Sequence, residues 1–273
     1  MGYNPRVLPI RNQIQHFMRT TKRLFCLSLL VLATLLSGCA KDKEILTAEL
    51  DARQLYERAT NAISAGQFQT AIQHFRALEA RYPFSPYALQ AQLDIAYAYF
   101  RFGRTEESIS EAERFIRFNP THPNVDYAYY IKGLAHFSHR KGFLHSWFPR
   151  DPAEVDQKAL REAFNTFTAL ITKFPNSPYA PDAHQRLVFI KNKMAEHEIS
   201  VANYYLSRNA WIAAGNRANY VLEYYNNTPS TENALAILLT VYKQLDLPHA
   251  YQATLKTLRL NYPNNPALQE QNS

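Results

Sequence analysis

The chain has 273 residues, with 7 glycines, 2 cysteines, 13% aromatic residues and a formal net charge of +7. The glycines lie too far apart to build a G-x-G-x-x-G or G-x-x-x-x-G-K-[ST] phosphate cradle, and so aromatic a chain is folded rather than disordered. Arg6, Arg11, Arg19, Lys22 and Arg23 sit in an N-terminal stretch without Asp or Glu, so loss of that stretch lowers the balance to +2 and removes the electrostatic case for a nucleic-acid partner.

In chain order, Arg19-Thr20-Thr21-Lys22-Arg23 precedes a largely apolar run from Leu24 to Leu36. That run is shorter than the roughly 20 residues of a membrane-spanning helix and fits a secretory signal. Met18 begins a leader of more usual length. Leu36-Ser37-Gly38-Cys39 reads as a lipobox, which makes residues 1–38 a signal peptide, Cys39 the lipidated residue and residues 39–51 a polar tether at a bilayer. The alternative is an ordinary signal cleaved at small residues, with Cys39 a bystander. Cys26 leaves with the leader, so a lipidated Cys39 leaves no thiol for disulfide, nucleophilic or metal chemistry. No cofactor is expected beyond the covalent lipid. Resemblance to bacterial lipoproteins adds that Ala40, rather than Asp, implies sorting to the outer membrane.

Beyond the tether, Tyr82-Pro83, Asn119-Pro120, Phe174-Pro175, Thr228-Pro229 and Tyr262-Pro263 punctuate the chain at intervals of 37, 55, 54 and 34 residues. Small and large apolar residues recur at tetratricopeptide-like spacing before them: Ala59, Gly66, Ala71 and Phe75; Ala96, Tyr99, Gly103, Ser108, Ala112 and Phe115; Gly133, Ala163 and Phe167; Ala202, Tyr205, Ala214, Ala218 and Val221; and, loosely, Tyr242, Ala250, Leu255 and Leu258. Small residues let two antiparallel helices approach, and each pair then buries its remaining apolar face on the next. The expected fold is an all-α solenoid of about five helical hairpins. Repeats 1–2 occupy residues 52–123, and repeat 3 occupies 124–178 with an insertion near 138–156. Repeats 4–5 follow over 179–266, with a tail at 267–273. Ser85-Pro86-Tyr87-Ala88 recurs as Ser177-Pro178-Tyr179-Ala180, predicting serine N-caps with proline at the first helical position; Asn124 and Ser230 are further cap candidates. From Asp182 to Ala214 neither Gly nor Pro interrupts the apolar period, which predicts one long helix or two abutting ones.

Arg81-Tyr82-Pro83-Phe84, Gln92-Leu93-Asp94, Arg114-Phe115-Ile116-Arg117, Asn119-Pro120-Thr121-His122-Pro123-Asn124, Arg150-Asp151-Pro152, Arg186-Leu187-Val188-Phe189 and Ala214-Gly215-Asn216-Arg217, together with the lipobox, closely resemble the BamD (ComL) lipoproteins over about Leu55 to Pro263. The resemblance implies a non-enzymatic, periplasmic scaffold of the machinery that inserts β-barrel proteins into the Gram-negative outer membrane. Its C-terminal repeats would dock on the barrel-forming subunit, its N-terminal repeats would receive the C-terminal signals of unfolded barrel precursors, and accessory lipoproteins would attach. The insertion, His139-Arg140-Lys141-Gly142-Phe143-Leu144-His145-Ser146-Trp147-Phe148, departs from the acidic character of that family.

A receptor for an aromatic, carboxylate-ended signal needs an apolar seat beside a guanidinium. Arg81, Tyr82 and Phe84, with Tyr87 and Tyr99 and with Tyr97 and Phe102 nearby, are the candidates; the alternative is that Tyr82 and Phe84 pack between repeats while Arg81 complements a helix terminus. Arg208, Trp211 and Arg217, beside Tyr204 and Tyr205, suit a partner-docking surface. Equally, Arg217 could pair internally with Glu196, Glu198 or Glu223. The docking role of Arg217 comes from the resemblance. His136, His139 and His145 lack acidic or cysteine partners at ligand spacing, so no metal is expected, and no serine sits in a nucleophile-elbow context. The rival reading is a soluble periplasmic tetratricopeptide adaptor in envelope or division control, which would carry no acyl chains.

Overall fold

The computed structural model describes residues 50–138 and 157–269. The chain falls into two units, residues 1–55 and 56–273. In the described part of the first, the Gln54 N–H donates to Asp51 Oδ1 at 2.8 Å and the Asp51 N–H to Gln54 Oε1 at 3.0 Å. This reciprocal capping box satisfies two N–H groups that a helix start leaves orphaned.

It opens α1 (Ala52–Ser64), followed by α2 (Phe68–Arg81), α3 (Pro86–Phe102), α4 (Thr105–Phe118), α5 (Val125–Ser138), α6 (Gln157–Lys173), α7 (Ala180–Leu206), α8 (Trp211–Tyr224), α9 (Ser230–Gln244) and α10 (Pro248–Asn261), with a short 3-10 turn at Pro266–Leu268. Among the described residues the regular structure is all helical. From α2 onward each helix packs on its neighbour in sequence, and α3 also meets α5 as α7 meets α9. Among the described residues each pair therefore packs mainly on the next, as in repeat proteins.

Packing explains the small residues. Ala59, Ala71, Ala96, Ala112, Ala163, Ala202, Ala214 and Ala218 are fully or almost fully buried, as are the phenylalanines that fill the space beside them, Phe75, Phe115 and Phe167. In the third pair Gly133 is buried against the Phe167 ring. Ser108 replaces a small apolar residue in α4; it is buried, and its hydroxyl donates to the Ala96 carbonyl at 2.8 Å, which offsets its desolvation.

Two turn geometries repeat along the chain. Within pairs, Gly66, Gly103, Asn209 and Asp246 have φ of 73°, 81°, 57° and 52°. The next N–H reaches back across the helix end: Gln67 to the Ala62 carbonyl, Arg104 to Tyr99, Ala210 to Tyr205 and Leu247 to Tyr242, at 2.8 to 3.0 Å. These are left-handed helix caps of the Schellman type. In two of them Asn and Asp hold the conformation usually given to glycine, which is why the chain from Asp182 to Ala214 is broken without a Gly or Pro. It forms the 27-residue α7 and, after Ser207–Ala210, α8.

Between pairs, and again after α10, the C-cap N–H of Tyr82, Asn119, Phe174, Tyr225 and Tyr262 donates to the carbonyl four residues back at 2.7 to 2.9 Å. Six residues later the chain re-enters helical geometry. The N–H of Ala88, Val125, Ala180, Thr231 and Leu268 meets the carbonyl of Ser85, His122, Ser177, Thr228 and Asn265 at 3.0 to 3.1 Å, each of those acceptors being followed by proline. This frame corrects the proline register. Pro229 aligns with Pro86, Pro123, Pro178 and Pro266, whereas the closing prolines Pro83, Pro120, Pro175 and Pro263 correspond to Asn226. It also corrects the caps. Ser85 precedes α3 with Pro86 at its start, as expected, but its hydroxyl makes no cap hydrogen bond. Ser177 lies one turn before α7 and accepts the Tyr179 N–H on its hydroxyl at 3.2 Å. Ser230 is the first residue of α9 rather than its cap, and the Asn124 side-chain amide donates to Gln90 Oε1 at 3.3 Å.

Candidate functional site

The N-terminal halves of the odd-numbered helices and the residues just before them carry tyrosines, carboxylates and amides that touch from one helix to the next. Tyr56 on α1 stacks on Tyr87 of α3, ring centroids 5.2 Å apart, and its hydroxyl donates to Asp94 at 2.9 Å. Gln90 donates to the other oxygen of Asp94 at 3.0 Å and accepts from Asn124. On α5, Tyr127 and Tyr130 lie 5.2 and 4.8 Å from the Tyr179 ring. The Tyr130 hydroxyl donates to Asp182 of α7 at 2.8 Å, and Arg186 Nε donates to the same oxygen at 2.5 Å. The Arg186 guanidinium then sits over Phe137, whose ring meets Phe189 edge-on at 5.8 Å. The tyrosines, Asp94, Asp182 and Arg186 are half-buried, so the row is both anchored and open to solvent.

Electrostatics differ along this row. Burial pushes the Asp94 carboxyl above the ordinary aspartate range despite the opposing hydrogen bonds from Gln90 and Tyr56. Burial, and then the charge of Asp94, raises the Tyr127 phenol. At Asp182 burial also pushes upward, but the hydrogen bonds from Arg186 and Tyr130 outweigh it and hold the carboxyl below the usual range. Asp94→Ala is expected to strand the Tyr56 hydroxyl and the Gln90 amide and to cost about 1–3 kcal/mol in denaturant unfolding. Asp94→Asn keeps an acceptor and no charge, so it is expected to match or exceed wild type at pH 7. A raised folded-state carboxyl means that the folded form holds more protons above the unfolded value. Wild-type stability therefore falls as pH rises through the window between the unfolded and folded values. Asn lacks that loss, so its advantage grows in the same direction.

The sequence-derived receptor residues separate in space. Arg81 ends α2 and is exposed, Tyr82 is its half-buried C-cap, and Phe84, in the following turn, is 100% exposed. Of the set, Tyr87 alone belongs to the tyrosine row. Tyr99 lies near the far end of α3, about 18 Å along the helix from Tyr87, beneath the guanidinium of Arg104. The sequence reading missed Tyr56, Asp94, Tyr127, Tyr130, Tyr179, Asp182 and Arg186. The recurrence of Ser-Pro-Tyr-Ala, which puts Tyr87 and Tyr179 at one register, was the signal available.

In the fourth pair, Arg208 lies over the Tyr204 ring at 4.6 Å, Trp211 packs partly buried on the main core, and Ile212 is 68% exposed. Arg217 pairs with Glu198 at 3.0 Å, which selects Glu198 among the three acids considered, and its side chain stays 45% exposed. A separate charged ring links α2 and α4. Arg76 bonds Glu79 at 2.8 Å and Glu111, while Arg114 bonds both acids at 2.9 Å, beside a cavity of about 330 Å³ lined by Pro83, Ala88 and Gln92. Its alternating charges satisfy one another, so it fastens two pairs together. His136 is half-buried and burial lowers its pKa; His139, His145 and Cys39 lie outside the described residues. Among the described residues no cluster of metal-ligating side chains is present, and no helix is long and apolar enough to cross a membrane.

The family model described as "Outer membrane lipoprotein" (YfiO) matches residues 48–258. The outer membrane protein assembly factor BamD of Neisseria gonorrhoeae is 40% identical over 239 residues, covering 85% of this chain and 89% of the relative. That of Vibrio cholerae is 38% identical over 235 residues, covering 86% and 97%. Among solved structures, a thermophilic TPR protein from Thermus thermophilus is 11% identical with a TM-score of 0.36, covering 81% of this chain and 96% of that one. Family match and relatives agree along nearly the whole helical body, and the chain belongs to the YfiO family of outer membrane lipoproteins, alongside the BamD assembly factors.

Proposed function

We propose that this chain is a non-enzymatic scaffold of outer-membrane protein assembly, lipidated at Cys39 and held at the periplasmic face of the outer membrane. The C-terminal repeats dock on the barrel-forming subunit through the surface around Arg208, Trp211 and Arg217. Unfolded barrel precursors engage the N-terminal repeats along a row that continues into the third and fourth, and accessory lipoproteins complete the assembly.

The continuous row from Tyr56 to Arg186 carries the precursor-binding part of this reading. Tyrosine offers a large, stiff apolar face with a polar tip, so a row of them grips an extended chain with little loss of side-chain freedom. Gln90 and Asn124 add amides suited to main-chain groups, and Arg186 beside Phe137 and Phe189 combines a guanidinium with aromatic rings where a terminal carboxylate and its neighbouring aromatic residue can seat. Receptor and row coincide at Tyr87; Phe84 and Tyr99 stand outside it.

Fluorescence anisotropy with a labelled peptide from a barrel precursor, ending in phenylalanine, tests the assignment. Tyr87→Ala and Tyr127→Ala are each expected to weaken binding by about tenfold, the scale of an interface anchor, with unchanged helical circular dichroism, while Arg208→Ala leaves binding intact. Equal affinities for wild type and both tyrosine variants would remove precursor binding from this face.

A further inference from the structure

The four inter-pair turns and the turn after α10 share the C-cap and helix-entry hydrogen bonds, so their side chains can be compared position by position. The third position is Thr121, Asn176, Asn227 and Asn264 in four of them, all exposed and polar. In the first it is Phe84, 100% exposed. The position before the C-cap is Arg81, Lys173, Tyr224 and Asn261 in four turns and Phe118, 70% exposed, in the second. The turn geometry asks for neither phenylalanine: polar residues serve it elsewhere, apart from Tyr224, 55% exposed, in the fourth turn. These two turns are neighbours, since Asn124 beside the second turn donates to Gln90 in the second helical turn of α3. Leu89, 40% exposed, follows the first turn. Arg81 and Arg117 accompany the rings, Arg117 lying over Phe118 at 5.2 Å. Neither Arg81–Leu89 nor Arg117–Val125 contains an acid.

We propose that this edge of the first two helix pairs rests on the surface of an anionic bilayer, with Phe84 and Phe118 inserted at headgroup depth and Arg81 and Arg117 on lipid phosphates. Aromatic rings beside arginines are the side chains that such an interface favours. The chain's own course supplies the second argument. Tyr56, in the second turn of α1, stacks on Tyr87 in the first turn of α3, so this stretch of α1 lies beside the start of the helix that the Phe84 turn enters. Its first residue, Ala52, lies thirteen residues after Cys39, a length that spans about 45 Å at most. A lipid on Cys39 would hold a bilayer within that chain length of the start of α1. The inference rests on the anchor proposed at Cys39, and the experiment separates the two.

The mature lipidated chain has no other cysteine, so Phe84→Cys and Asn176→Cys can each carry one environment-sensitive fluorophore. Both are reconstituted with vesicles of phosphatidylethanolamine and phosphatidylglycerol and recovered by flotation. The expected result is that both float, that the probe at 84 shifts to the blue and is quenched by nitroxide-labelled lipid, and that the probe at 176 keeps its water-like emission. Protein that floats with a water-like probe at 84 overturns the edge while leaving the anchor. Protein that stays at the bottom overturns the anchor and the edge with it. A blue shift at 84 produced by precursor peptide without lipid, and not by vesicles, assigns the ring to polypeptide binding and also overturns the proposal.

Discussion

Truncating Phe115 to alanine is expected to destabilise the protein by about 3–5 kcal/mol, the usual cost of deleting a fully buried phenylalanine. Phe115 is 0% exposed on α4 and forms one cluster with Leu93 of α3 and Val125 and Ala128 of α5. The edge of the His122 ring also meets it at 5.2 Å across the second inter-pair turn. Removing the ring loosens the junction of the second and third pairs and the turn between them. A repeat array transmits such damage to its neighbours and little further. Amide hydrogen exchange should therefore accelerate over α3 to α5, with α9 and α10 near wild type. Uniform acceleration, or none, would contradict a junction held by this ring.

The second large effect comes from adding one carbon. A methyl group placed on Gly133 would lie 2.5 to 2.8 Å from three carbons of the Phe167 ring. That ring is 0% exposed and cannot swing away into solvent. Gly133→Ala is therefore expected to cost about 1–3 kcal/mol by overpacking, and Gly133→Val more. The double substitution Gly133→Ala with Phe167→Leu should recover part of the loss, because the two sites are in contact and couple. Denaturant midpoints of Gly133→Ala, Phe167→Leu and the double variant, each against wild type, decide it: additive losses would mean that the clash does not govern the position.

Much of the helical body was legible from residue spacing because its determinants are local. Ala71 and Phe75, or Ala163 and Phe167, show a helix's small and large buried sites within one turn of each other, and Gly66 and Gly103 mark their own turns. The prolines mislead at Pro229, since a repeat turn holds two proline sites three residues apart and Asn226 occupies the first of them; only the hydrogen bonds fix the register. Asn209 and Asp246 hide two turns because they take the left-handed conformation without being glycine. The tyrosine row was the least visible part. Its links join Tyr56 to Asp94 and Tyr130 to Asp182, far apart in sequence, and no local pattern reports such contacts before the pairs stack. Arg81, Phe84, Tyr87 and Tyr99 look like one constellation in sequence, yet a helix entry and the length of α3 send them to three different places.

The most direct test of an assembly scaffold is affinity purification of the tagged, lipidated chain from solubilised cell envelopes, with bound proteins identified by mass spectrometry. The barrel-forming subunit and smaller lipoproteins are expected to be recovered with wild type, and Arg217→Ala, which removes the Glu198-paired guanidinium, is expected to lower recovery of the barrel subunit several-fold while the isolated protein stays helical. Envelopes that yield wild-type chain without any barrel-forming subunit would contradict the scaffold role.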